Sequence, residues 1–116
     1  MVGPRLRAVM QAGVGVGDLA GPGVVRGEAE HPVCGDRLEF SLRLDGGIVR
    51  DLRWRAAGCP ATTAVAALAA VTLPGTPAAA AAATLRRALA DHGGLAAAER
   101  HAEGMALRAL AAAGCG

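Results

Sequence analysis

The sequence predicts an α+β domain, a small three-stranded antiparallel sheet with helices packed on one face. Three observations carry this reading. Leu38, Phe40, Leu42 and Leu44 alternate with Glu39, Ser41 and Arg43, the period-two pattern of a strand with one buried face. Asp45-Gly46-Gly47 then supplies residues tolerant of the positive φ that a tight hairpin needs. Beyond Pro60 the apolar spacing becomes helical, and strands followed by helices indicate α+β architecture.

Residues 1–22 read as a short amphipathic start followed by a Gly-rich linker, leaving 23–114 as a single domain. The string from Gly13 to Asp18 is superficially like a dinucleotide-binding loop. With no strand before it and no helix after it, it reads instead as a flexible entry to the domain. A strand around Val24 to Glu30 supplies the third member of the sheet. Ile48 through Ala56 is the return strand, with Ile48, Leu52 and Trp54 on one side and Val49, Asp51, Arg53 and Arg55 on the other. Pro60 suits a first helical position, where its missing N–H costs nothing. Val65, Leu68 and Val71 mark a helix that stops before Pro74-Gly75. Thr76-Pro77 opens an Ala-rich helix broken at His92-Gly93-Gly94. The last helix runs from Leu95 to Ala113, closes at Gly114 and is buried in part through Leu107 and Leu110.

Composition narrows the function. A chain of 116 residues holds one domain, and with Trp54 and Phe40 as its only aromatics the core is small and aliphatic. All 12 basic residues are arginine and the net charge is +2. Neither a basic run nor stacking aromatics are present, which argues against nucleic-acid binding. The longest apolar stretch, 56–83, is interrupted by Pro60, Pro74, Gly75 and Pro77, whereas a membrane span needs about 20 uninterrupted apolar residues. The N-terminus is too Gly-interrupted for a signal peptide, so the expected address is cytoplasmic. Three cysteines argue against a closed disulfide framework and towards metal binding, sulfur chemistry or plain burial.

Cys34-Gly35-Asp36 stands at the entry to the hairpin and Cys59 at its exit, directly before a helix. Because the hairpin folds back on itself, positions 34–36 and 59 meet at one end of the sheet. Gly35 allows the bend that aims Cys34 and Asp36 into one space. The positive end of a helix favours an anionic sulfur, the form that binds metal or attacks a persulfide.

His31-Pro32-Val33-Cys34-Gly35-Asp36, the hairpin from Arg37 to Ala57, and Gly58-Cys59-Pro60 resemble the IscU/NifU N-terminal family of iron–sulfur cluster assembly scaffolds. The resemblance covers roughly residues 10–113 and implies the same three-stranded fold. It implies Cys34 and Cys59 as cluster ligands and Asp36 as the carboxylate that tunes lability. His101 matches the family histidine of the last helix, but Ala102 stands where a third cysteine belongs. Cys115 lies about 20 Å further up a helix, between two glycines, and reads as a non-catalytic thiol prone to oxidation. Leu95-Ala96-Ala97-Ala98-Glu99 replaces the family's L-P-P-V-K, which argues against handover through an Hsp70-type chaperone.

The implied ligand set is therefore Cys34, Asp36, Cys59 and His101, for a [2Fe-2S] cluster or iron, or alternatively for zinc. Two sulfurs, an imidazole and a carboxylate suit either, and ligand types alone do not separate the metals. His31 is a loop histidine and minor metal candidate, and His92 a helix-end residue. The arginines of the return strand read as a solvated face, with docking to a partner as the alternative.

The function the resemblance implies is a scaffold or carrier, not itself an enzyme. It would receive sulfur from a cysteine desulfurase and pass clusters to apo iron–sulfur proteins, with a homodimer possible. The alternatives are a zinc-containing protein that accepts persulfide sulfur, and a degenerate relative that binds partners without metal.

Overall fold

Residues 2–33 and 35–116 are described by the computed structural model, and they form the expected α+β architecture. Helix α1 (Pro4–Ala12) is followed by β1 (Val24–Glu30), β2 (Arg37–Asp45) and β3 (Ile48–Ala57). Then come α2 (Pro60–Thr72), α3 (Ala81–Asp91) and α4 (Arg100–Ala112), the last two each preceded by a single 3₁₀ turn. The sheet has the order β1-β2-β3, antiparallel throughout.

Hairpin register follows from the alternation. Phe40 faces Trp54 and Leu42 faces Leu52 across β2 and β3, and Leu38, Phe40, Leu42, Leu52 and Trp54 are all buried. One residue of the return strand breaks the pattern. Arg43 pairs with Asp51, whereas Leu44 pairs with Val49, so Arg50 is an extra residue in a β-bulge. The bulge reverses the side-chain alternation beyond it. Val49, expected on the polar side, is fully buried, and Ile48 is only partly covered.

The Gly-rich segment, expected as a linker, is tied down on both sides of the sheet. Trp54 donates its backbone N–H to Gly15 O (2.8 Å) and its indole N–H to Val14 O (2.8 Å), while Gly17 N–H donates to Trp54 O (2.9 Å). A short parallel bridge therefore covers the open edge of β3. A Cβ on Gly15 would stand 3.2 Å from Leu52 O and would overlap Ala70 of α2, so only glycine fits there. The chain then crosses to the opposite, polar face. There Leu19 N–H donates to Ser41 Oγ (2.9 Å), Arg43 donates to Pro22 O (2.9 Å) and Ala20 O (3.1 Å), and Asp18 pairs with Arg55 at 2.7 Å.

On the other face, α2 is buried nearly all round, as a helix of Ala, Val and Leu must be. It packs against α1, β3, α3 and α4, and its alanines let these neighbours approach closely. Val71, expected on the core side, is 53% exposed, because alanines rather than a valine stripe define the contacts. Helix α4 is buried through Ala102, Met105, Ala106, Ala109 and Leu110, with Leu107 only partly covered. Cys115, read from the sequence as a thiol prone to oxidation, is also buried, because the tail folds back and Gly116 N–H donates to Ala78 O (2.7 Å). Among the described residues no helix is long and apolar enough to cross a membrane.

The crossing of α4 over β1 depends on Gly27. A Cβ there would overlap the Ala109 carbonyl oxygen and lie 2.6 Å from Ala113 N, both backbone atoms that cannot swing aside. Gly27→Ala is expected to cost about 3 kcal/mol, the upper range of overpacking penalties. Its thermal midpoint should fall by about 10 °C or more. Gly104→Ala, in the interior of α4 where only the flexible Arg108 side chain lies nearby, should instead stabilise by about 0.5–1 kcal/mol. Thermal denaturation of the two variants checks the opposite signs.

Candidate metal centre

The register that closes the sheet also assembles a site at its end. Arg37 pairs with Ala57, so the next residues outward, Asp36 and Gly58, stand beside each other. The loop before them is closed by His31 N–H donating to Asp36 O (2.8 Å) and Gly35 N–H donating to His31 O (2.8 Å). Gly58 has φ +129°, and a Cβ on it would collide with the Asp36 carboxylate. The glycine thus supplies both the backbone turn into α2 and the volume into which the carboxylate folds.

Cys59 is the N-cap residue of α2, with Pro60 in the first turn. Its Sγ lies 3.4 Å from His101 Nε2 and 3.6 Å from the hydroxyl of Thr62, one turn into the helix. His101 reaches the same point from the first turn of α4, with Nε2 3.2 Å from Asp36 Oδ2. Thr62 donates its hydroxyl to that same carboxylate oxygen at 3.3 Å. Asp36, Cys59 and His101 therefore present one oxygen, one sulfur and one nitrogen, all within 4.8 Å of one another. They come from β2's entry, α2's N-terminus and α4's start.

Asp36 is only 4% exposed. Burial pushes its pKa up, but hydrogen bonds from the Cys59 thiol and backbone, from His101 and from Thr62 outweigh that push. The net direction is downward from the ordinary 3.8. Beside the site, an open groove of about 430 Å³ reaches Cys59 and His101 between Val2, Arg7, Met10 and Glu99.

Of the four residues singled out in the sequence, the structure brings three together. The fourth, Cys34, lies outside the described residues. His31 stands next to the site, its ring packed edge-on against His101 with centroids 5.0 Å apart. Ala102 is fully buried in the core behind His101. Cys115 lies beyond the other end of α4, its thiol pKa raised by burial. His92 ends α3, its Nδ1 2.8 Å from Ala88 O. Thr62 was not foreseen from the sequence. Its signal was available: a polar residue three positions after Cys59 lies one helical turn away on the same face.

The donor types suit a tetrahedral ion, and two of their three spacings come close to it. Edges of a tetrahedron with arms of about 2.0–2.3 Å are about 3.3–3.8 Å. The spacings from His101 Nε2 to Asp36 Oδ2 and to Cys59 Sγ fall at or just below that range.

Comparison with known proteins gives a consistent result. The pattern of the family described as NifU-like N terminal domain matches residues 10–115. A bifunctional protein NifU/MnmA from Rubrobacter xylanophilus is 38% identical over 63 residues, covering 53% of this chain and 13% of that protein. A zinc-dependent sulfurtransferase SufU from Bacillus subtilis is 37% identical over 41 residues, covering 35% of this chain and 28% of that protein. The chain thus matches only a small part of either curated relative.

Among solved structures, the N-terminal part of a NifU-like protein from Brucella abortus superposes with a TM-score of 0.67 at 19% identity. That match covers 97% of this chain and 90% of the other. A SufU protein from Fervidobacterium islandicum, described as a putative iron–sulfur cluster assembly scaffold, gives 0.61 at 16% identity, covering 68% and 57%. At these identities the structural likeness establishes the fold.

The depressed Asp36 pKa fixes the sign of an acid transition. Its contribution to stability is complete above the ordinary aspartate value of 3.8 and is lost as pH falls below it through the native value. For protein freed of metal with a chelator, the thermal midpoint should fall steeply as the pH drops below about 4. Asp36→Asn should flatten that limb. Equal acid limbs in the two proteins would show that Asp36 does not carry it.

Proposed function

Because this chain belongs to the family of NifU-like N-terminal domains, we propose that it serves iron–sulfur cluster assembly as a scaffold or carrier. In this reading iron and sulfide are its cargo, held at Asp36, Cys59 and His101 with Cys34, two residues before Asp36, as the fourth ligand. The observation that carries the proposal is the convergence of carboxylate, thiol and imidazole within 4.8 Å at the mouth of a groove.

The residues divide the work. Cys59 and Cys34 are the sulfur ligands. Sulfur arrives when a thiolate of the site attacks the outer sulfur of a persulfide on a cysteine desulfurase. A new S–S bond forms as the old one breaks, and the desulfurase cysteine leaves as a thiolate; a separate two-electron reductant, such as a thiol pair or an electron-transfer protein, then reduces the transferred sulfur to sulfide and frees the site thiolate. Asp36, a weaker ligand than a thiolate for iron, keeps the cargo releasable to apo iron–sulfur proteins. His101, which faces both Asp36 and Cys59, closes the set from α4.

A second reading has its own support. The two spacings from His101 suit a single tetrahedral ion, and one relative bears the name of a zinc-dependent sulfurtransferase. On this reading the site holds zinc, which orders the ligands and acts as a Lewis acid, and the protein accepts persulfide sulfur without building a cluster.

Metal and acid-labile sulfide content, measured on anaerobically purified protein beside Cys34→Ala and Cys59→Ala, separates the readings. Iron with matching sulfide and visible charge-transfer bands, lost in both variants, is the expected result. Stoichiometric zinc without sulfide would select the sulfur-transfer reading. Protein that stays free of metal after reconstitution with iron and sulfide, and with zinc, would overturn both.

A further inference from the structure

Helix α2 is a column of Ala, Val and Leu, and from Ala61 to Ala70 every residue except Thr63 is buried. Within that column Thr62 is fully buried and carries a hydroxyl that a valine of the same shape would lack. A buried hydroxyl costs free energy unless it is hydrogen-bonded. Here its partners are both groups of the metal centre: Asp36 Oδ2 at 3.3 Å and Cys59 Sγ at 3.6 Å.

The arrangement has further content. Asp36 Oδ2 also faces His101 Nε2, which in turn faces Cys59 Sγ, so four polar groups form a closed cycle. Three of them are strong metal-ligating types. The fourth, a neutral hydroxyl, is a poor ligand and is placed to donate a hydrogen bond to its neighbours. That single proton has two acceptors. Donated to Asp36, it fixes the carboxylate's orientation and lowers its donor strength; turned to Cys59, it does the same for the sulfur.

We propose that Thr62 is a positioning residue of the metal centre: its hydroxyl, within reach of both Asp36 and Cys59, donates its one proton to one or the other ligand and so sets how tightly metal is retained. The assignment rests on the reading of this site as a metal centre.

The test uses the full-length protein and two substitutions with opposite chemistry. Thr62→Val keeps the volume and removes the hydroxyl; Thr62→Ser keeps the hydroxyl and removes a methyl group. Zinc affinity is measured by competition with a chromophoric chelator, and Co(II) loading reports the sulfur-to-metal charge-transfer band. Thr62→Val is expected to lose about 10–100-fold in zinc affinity, with Thr62→Ser within about threefold of wild type, the usual reach of a hydrogen bond to a metal ligand. The Co(II) charge-transfer band should shift in Thr62→Val and not in Thr62→Ser.

A packing role predicts the reverse order, with Val tolerated and Ser impaired, and that ranking would overturn the assignment. Equal affinity in all three proteins would overturn it too, while leaving the metal centre standing. A wild type that takes up neither zinc nor cobalt would overturn the metal centre and this assignment together.

Discussion

A carboxylate taken almost wholly out of water must find its hydrogen bonds inside the protein. In this chain Asp36 finds them in residues from two other elements, Cys59 and Thr62 at the start of α2 and His101 at the start of α4. Satisfying one buried charge therefore fixes how the hairpin, α2 and α4 meet at that end of the molecule. Gly58 completes the arrangement by leaving empty the space where any side chain would collide with the carboxylate. Two of the groups that satisfy the charge, Cys59 and His101, are also metal-ligating types, so the structural requirement and the chemistry coincide.

The remainder of the fold serves close approach. The core contains two aromatic rings and many alanines, so van der Waals contact comes from bringing backbones together rather than from interlocking large side chains. Gly27 lets α4 lie directly on β1, and Gly15 lets the N-terminal strap pass between β3 and α2. Helix α4 carries His101 at its start and crosses β1 near its far end.

Much of this was legible from residues and spacing. The alternation through Leu38 to Leu44, the turn Asp45-Gly46-Gly47 and the proline at the head of α2 each report a local preference, and each element formed where that preference indicated. Local preference misled where a distant partner decided the outcome. The bulge at Arg50 turned Val49 inward, and contacts from Trp54 and Ser41 converted an apparently loose Gly-rich stretch into an ordered strap. Cys115 read as prone to oxidation between two glycines, yet the carbonyl of Ala78, far away in sequence, draws the tail back over the core and buries the thiol. The Ala-rich helices carried too little contrast between apolar residues to show which side faces inward, and Val71 ended in solvent.

By itself the sequence determined the element order, the hairpin and the juxtaposition of Asp36 with Cys59. A β-hairpin of known turn brings its own ends together whatever surrounds it. Spacing alone could not bring His101 to them, although the family resemblance implied it: α4 is separated from the hairpin by two helices, and its direction depends on packing against β1 and α2. Only the tertiary structure brought in Thr62. Its hydroxyl acquires a role only when burial removes water and leaves Asp36 and Cys59 as its partners.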